Sequence, residues 1–147
     1  MSAPILWIVL PGMASVILWF FRKHERNVLI SALCITFFFM IASWFIEVGK
    51  PIIQIGDFTL QVDSSISILG RSFTLNNGDL VFVSFLFLIL FIFLSMSFVI
   101  DVPSIFAPVS LLLITLVIAA LSVQPFLFAA LIVEICVLFS VTILSKR

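Results

Sequence analysis

Five long apolar stretches alternate along the chain with shorter polar segments. They cover residues 3–21, 27–46, 80–100, 105–123 and 125–144. Each stretch is close to the ~20 residues that a helix needs to cross a hydrocarbon core about 30 Å thick. The pattern predicts an all-α polytopic membrane protein with about five transmembrane helices, folded as a single membrane domain over residues 1–147.

The polar segment 47–79, between the second and third predicted helices, has a pattern of its own. Apolar and polar residues alternate over 58–63, with the period of two that is typical of a half-buried strand. A second short strand is predicted over 71–75. We expect the two strands to form a small β-hairpin on the external face. The four acidic and two basic residues of this segment give it a net charge of minus two, as expected outside the cell.

The composition agrees with a membrane protein. Hydrophobic residues make up 64% of the chain and charged residues 10%, and the mean hydropathy is +1.44; soluble domains are roughly half apolar. The formal net charge of zero argues against nucleic-acid binding. Cys34 and Cys136 lie in separate apolar stretches without a second Cys or His at ligand spacing, so we interpret both as packing residues and expect no metal site and no cofactor.

Charge sets the predicted orientation. The loop that follows the first apolar stretch contains Arg22, Lys23, His24, Glu25 and Arg26. Because positive charge favours the cytoplasmic side, we expect the amino terminus outside and the carboxyl terminus in the cytoplasm, in a bacterial plasma membrane. The single histidine could act as a proton relay, but in an exposed basic loop a solvated role is favoured.

Aromatic residues mark the predicted ends of the first two helices. Trp7 and Trp19 lie near opposite ends of the first stretch, and Trp44 closes the second. Tryptophan is enriched where the bilayer meets water. We therefore interpret all three as interfacial anchors.

Glu134 is the candidate functional residue. It lies near the middle of the uncharged apolar run 125–144, at the depth of the bilayer midplane, where an ionisable side chain usually belongs to an ion or proton pathway. Two alternatives remain open: a carboxyl group kept protonated, or a hydrogen bond that holds a neighbouring helix. No basic residue is placed to pair with Glu134 at mid-depth. The lysines and arginines all lie in loops or at the ends of apolar runs: Arg22, Lys23, Arg26, Lys50, Arg71, Lys146 and Arg147.

Three segments resemble the amino-terminal part of the antiporter-like, proton-translocating membrane subunits of respiratory complex I (NADH-quinone oxidoreductase) and of Mrp-type antiporters. They are the polar segment IGDFTLQVDSSISILGRSFTLNNGD before an apolar helix, the short turn SVQPF, and FAALIVEICVLFSV with its glutamate. The resemblance implies that Glu134 pairs with a lysine on a later helix during pumping. Family members have many more helices, so we expect this chain to be a fragment or a short subunit whose partner lies on other membrane subunits.

Two functions therefore stay open. The first is a membrane-arm component of a proton-translocating complex, not catalytic alone, in which Glu134 transfers protons with a lysine from outside this chain. The second is a structural or assembly subunit, or a truncated remnant, in which Glu134 is a helix-packing contact. Small residues near Glu134 (Ala129, Ala130 and Cys136) would let another helix approach closely. In the external segment, Asp57, Asp63 and Arg71 could attract cations or dock a subunit, but a solvated loop is favoured.

Overall fold

The computed structural model describes residues 2–49, 51–55, 58–68, 70–100 and 102–144. Most of these residues are helical, and a smaller number form antiparallel strands. A mostly helical fold with a small antiparallel sheet is therefore confirmed. A helix overlaps each predicted apolar stretch, and α2 and α3 begin two and three residues earlier than predicted. The helices are α1 (Leu10–Phe20), α2 (Glu25–Phe45), α3 (Asn77–Met96), α4 (Phe106–Ser122) and α5 (Leu127–Leu144).

The segment between α2 and α3 forms two hairpins. Strand β1 (Pro51–Ile55) pairs with β2 (Phe58–Gln61), and β3 (Ser65–Ile68) pairs with β4 (Arg71–Thr74). The prediction of one hairpin between the two expected strands is wrong, because each strand pairs with a nearer neighbour in sequence. Gly70 makes the tight β3–β4 turn possible, since its φ of +74° is readily adopted by glycine.

A third strand joins the second hairpin from a distant part of the chain. Strand β5 (Val123–Gln124), in the link between α4 and α5, pairs antiparallel with β4. The sequence predicts only a short turn at this link, SVQPF. Its pairing ties the α4–α5 connection to the hairpin region.

The first helix contains a proline without being broken by it. Pro11 has no amide hydrogen to donate to the carbonyl four residues earlier. A π-helical turn over Ile5–Val9 precedes α1, and its wider spacing lets the Leu10 amide donate to the Ile5 carbonyl. The chain therefore continues as a helix through the proline.

Helix α4 lies at the centre of the bundle and contacts the other four helices. Every residue from Phe106 to Ala120 is buried or half-buried. Against α1 the packing is close: the Ser15 hydroxyl donates to the Pro108 carbonyl at 2.8 Å, and a β-carbon at Gly12 would lie 3.8 Å from the Thr115 hydroxyl oxygen. Thr115 therefore faces α1.

Two indole groups link helices through buried serines. The Trp7 indole N–H donates to the Ser43 hydroxyl at 2.7 Å, and this hydroxyl donates to the Phe39 carbonyl. Because Trp7 is fully buried, its predicted role as an interfacial anchor is wrong. Trp44 is exposed, and its indole N–H donates to Ser84 on α3.

The bundle has two distinct ends. At one, which we call the sheet end, the strands β1 to β5 meet the chain start, where the Ala3 amide donates to the Asp63 carbonyl at 2.8 Å. At the other, which we call the basic end, the loop 21–24 and the start of α2 lie beside the α3–α4 turn across a shared cavity. The chain therefore alternates between the two ends, as five crossing helices would require.

Between these ends the helices present apolar side chains outwards. By length and composition, α2 and α3 are long and apolar enough to cross a membrane. The apolar segments Ile5–Phe20, Phe106–Ser122 and Leu127–Val141 are shorter. Large exposed apolar residues occur on α1, α2, α3 and α5, among them Val16, Ile17, Phe37, Phe38, Phe85, Phe93, Leu138 and Val141.

We predict that Ser43→Ala lowers the free energy of unfolding by about 1 to 2 kcal/mol, because it leaves the buried Trp7 indole N–H without an acceptor. The matched control is Ser95→Ala, since the Ser95 hydroxyl donates only to Phe91 of its own helix; it should change stability by less than about 0.5 kcal/mol. Denaturant titration in detergent micelles measures both. Equal losses would contradict the assigned link.

Candidate functional site

Glu134 lies in the middle of α5, an 18-residue helix. Seven residues precede it in the helix and ten follow it, which places it about 10 Å from one end and about 15 Å from the other at 1.5 Å per residue. Its side chain is exposed on the side of the bundle. The carboxylate is therefore presented at mid-height, away from the core of its own chain.

The residues around Glu134 form a continuous exposed stripe along α5. Positions three, four and seven apart share one face of a helix. We call this stripe the Glu134 face; all its members are exposed, and all except the glutamate are apolar: Leu127, Ala130, Leu131, Glu134, Val137, Leu138 and Val141. The carboxylate lies at its centre.

The opposite side of α5 packs against α4. Ala129 is buried together with Ala120 and Val123, and Phe128 and Ile132 pack beside them. Ala129 therefore cannot contact a helix of a partner, contrary to the prediction from the sequence. Cys136 is half-buried, and of the three predicted small residues only Ala130 belongs to the Glu134 face.

Among the residues that the structure describes, no basic group pairs with Glu134. Arg22, Lys23 and Arg26 lie in the loop at the basic end and at the start of α2, and Arg71 lies against a ring at the sheet end. The remaining basic residues, Lys50, Lys146 and Arg147, fall outside the described residues.

The sheet end fixes the start of α5. The guanidinium carbon of Arg71 lies 3.3 Å from the centroid of the Phe128 ring, and the Gln124 side-chain amide donates to the Thr74 hydroxyl at 3.1 Å. Phe73 on β4 packs against the α4–α5 junction. Sequence reasoning missed this arrangement, because the only signal was a lone arginine in a strand with an aromatic residue far along the chain.

The other residues that the sequence singled out are dispersed. His24 is exposed just before α2, where its carbonyl accepts from the Val28 amide. Asp63 is exposed and bridges to Ser2 through its backbone. Asp57 lies outside the described residues. Within the described part of the chain, no three His, Cys, Asp or Glu residues are grouped closely enough to hold a metal ion.

A comparison of the chain with models of protein families, with curated proteins and with solved structures found no match. The resemblance to antiporter-like subunits therefore stays a prediction. We therefore infer function from the position of Glu134 and from the surface that surrounds it.

We predict that Arg71→Gln loosens the start of α5, because it removes a cation–π contact worth about 0.5 to 1 kcal/mol at an exposed site. Amide hydrogen exchange in the first turns of α5 should become about two- to fivefold faster, while exchange in α3 stays unchanged. Arg71→Lys keeps the cation and should restore part of the protection. If exchange in α5 is the same in all three proteins, the contact does not hold the helix.

Proposed function

We propose that this chain is an integral membrane protein whose five helices all cross the bilayer. The proposal is supported by the surface between the two ends of the bundle. Soluble proteins rarely expose large continuous apolar patches, yet apolar side chains face outwards on α1, α2, α3 and α5. Buried hydroxyls of the helices, such as those of Ser15, Thr36 and Ser43, are hydrogen-bonded. Exposed side chains between the two ends are mostly apolar, as a bilayer requires.

The shorter helices are compatible with this placement. Helix α4 has 17 residues, which correspond to about 25 Å, somewhat less than a ~30 Å hydrocarbon core. A bilayer can thin locally around a short span. Because α4 is enclosed by the other helices, it also has little contact with lipid.

The charges give the orientation. Arg22, Lys23 and Arg26 are at the basic end, which we assign to the cytoplasm. The sheet end then lies outside, together with the amino terminus. The carboxyl terminus follows α5 to the cytoplasmic side. A bacterial plasma membrane is the proposed location.

This orientation predicts opposite labelling of two introduced cysteines. In a chain with Cys34→Ser and Cys136→Ser, Ser64→Cys at the sheet end should react in intact cells with a thiol reagent that does not cross membranes. Lys23→Cys at the basic end should react only after the membrane is opened. The reverse pattern would contradict the orientation, and labelling of both in intact cells would contradict membrane insertion.

The function that we propose is a membrane-arm role in a proton-translocating complex of the NADH-quinone oxidoreductase or antiporter type. The observation that supports it is the exposed carboxylate of Glu134 at the centre of an apolar helix face, without a counter-charge in the described chain. A charged side chain at the middle of the membrane is costly. The cost is higher when the side chain contacts lipid than when it contacts protein. The Glu134 face is therefore covered by another polypeptide segment, and the chain acts as one part of a larger assembly.

A lysine from that segment would complete the proton-handling pair. A nearby ammonium group favours the ionised carboxylate, and its withdrawal favours proton uptake. A change in the distance between the two groups would thus drive uptake and release of a proton at Glu134. The chain supplies one half of this pair and needs no cofactor of its own for that step.

The alternative is a structural or assembly subunit that does not pump. It is favoured by the rest of the Glu134 face, which is a continuous apolar stripe suited to helix packing. On this proposal a hydrogen bond from the glutamate fixes the position of the neighbouring helix. The partner would then need a polar group but no lysine.

Glu134→Gln separates the two functions when it is measured in the assembled complex. For a proton-handling role, assembly should be normal while proton translocation per complex falls by at least about tenfold, because an amide cannot take up a proton. Glu134→Asp keeps the carboxylate and should retain part of the activity. Unchanged translocation in the glutamine variant would contradict proton handling, and reduced assembly with normal translocation per complex would support the structural role.

A further inference from the structure

A cavity of about 370 Å³ opens at the basic end, between the start of α2 and the α3–α4 turn. One wall is formed by Glu25, Arg26 and Leu29, and the other includes Ser97, Phe98 and Ser104. Its lining thus combines a guanidinium group, a carboxylate and two hydroxyls with apolar side chains. Such a lining suits an amphiphilic molecule better than a purely polar or a purely apolar one.

Positive charge is concentrated at the start of α2, which lines this cavity, and in the loop that precedes it. Arg22, Lys23 and Arg26 are all exposed, and Glu25 is the one acidic residue of the loop, so the excess is two positive charges. The guanidinium carbon of Arg22 lies 5.6 Å from the centroid of the Trp19 ring. Tryptophan favours the level of the lipid headgroups, so this contact holds a cation at that level.

We propose that the cavity binds the phosphate headgroup of an anionic phospholipid from the cytoplasmic leaflet. Basic pockets between membrane helices on this side are suited to such headgroups. Arg26 and Ser104 supply donors for the phosphate oxygens. The Ser97 hydroxyl donates to the Phe93 carbonyl, and Arg22 and Lys23 add positive charge from the preceding loop. The acyl chains descend beside Leu29 and Phe98, towards the apolar outer surface of the bundle.

This site is independent of Glu134 and of proton transfer. It rests on the proposed membrane insertion and on the assignment of the basic end to the cytoplasm. If the chain fails to enter vesicles of any composition, both the insertion and the lipid site are overturned. If the chain inserts but shows no lipid preference, only the lipid site is overturned.

Native mass spectrometry of the full chain tests the site. The chain is reconstituted into vesicles that contain equal amounts of phosphatidylcholine and phosphatidylglycerol, then released, and the retained lipids are counted. Two neighbouring variants change the local charge in opposite directions: Arg26→Gln removes a positive charge, and Glu25→Gln removes a negative one. The wild type should retain phosphatidylglycerol preferentially, Arg26→Gln should lower this preference about fivefold, and Glu25→Gln should raise it.

Three results would overturn the proposal. The first is equal retention of the two lipids by the wild type. The second is a preference for phosphatidylglycerol that stays unchanged in both Arg26→Gln and Glu25→Gln, or that changes in the same direction in both. A general effect on folding would change the preference of both variants in the same direction. The third is loss of the retained phosphatidylglycerol when inorganic phosphate is added in modest excess, which would identify a site for free phosphate.

Discussion

The structure depends on hydrogen bonds that satisfy polar side chains inside an apolar bundle. Thr36 and Ser122 donate to carbonyls of their own helices, and Ser15 donates to a carbonyl of another helix. Ser43 and Ser84 each accept an indole N–H from another part of the bundle. An unpaired polar group in such surroundings is costly, so these bonds determine which helix faces can meet. Apolar side chains fill the rest of the core and the outer surface between the two ends.

Glu134 is the exception to this arrangement. Helix α4 occupies the centre, and α5 packs along it with one side only, so the Glu134 face points away from the chain. The sheet end holds the start of α5 through Arg71 and Phe128 and thereby fixes the direction in which this face points. The carboxylate is thus displayed at a defined position and at mid-height, as expected of a group whose partner belongs to another segment.

The sequence predicted the positions of the helices because long uncharged runs are sufficient to locate them. It did not predict which side of α5 packs, because the helix is apolar nearly all round and carries no amphipathic signal. The sequence also did not predict that Trp7 is buried, because the hydroxyl that accepts from its indole N–H belongs to Ser43, 36 positions away. The strand pairing was missed because β5 is only two residues long. Glu134 was chosen as the candidate residue because a single charge in an apolar run is conspicuous, and its role stays a prediction.

The most direct test of the account is site-specific photo-cross-linking from the Glu134 face in the native membrane. The probe replaces Val137, one turn from Glu134, and the control probe replaces the similarly exposed Val16 on α1. We expect the probe at Val137 to cross-link to a polypeptide helix containing a lysine, and the probe at Val16 to react mainly with lipid. Lipid adducts alone at both positions would contradict a polypeptide partner for Glu134.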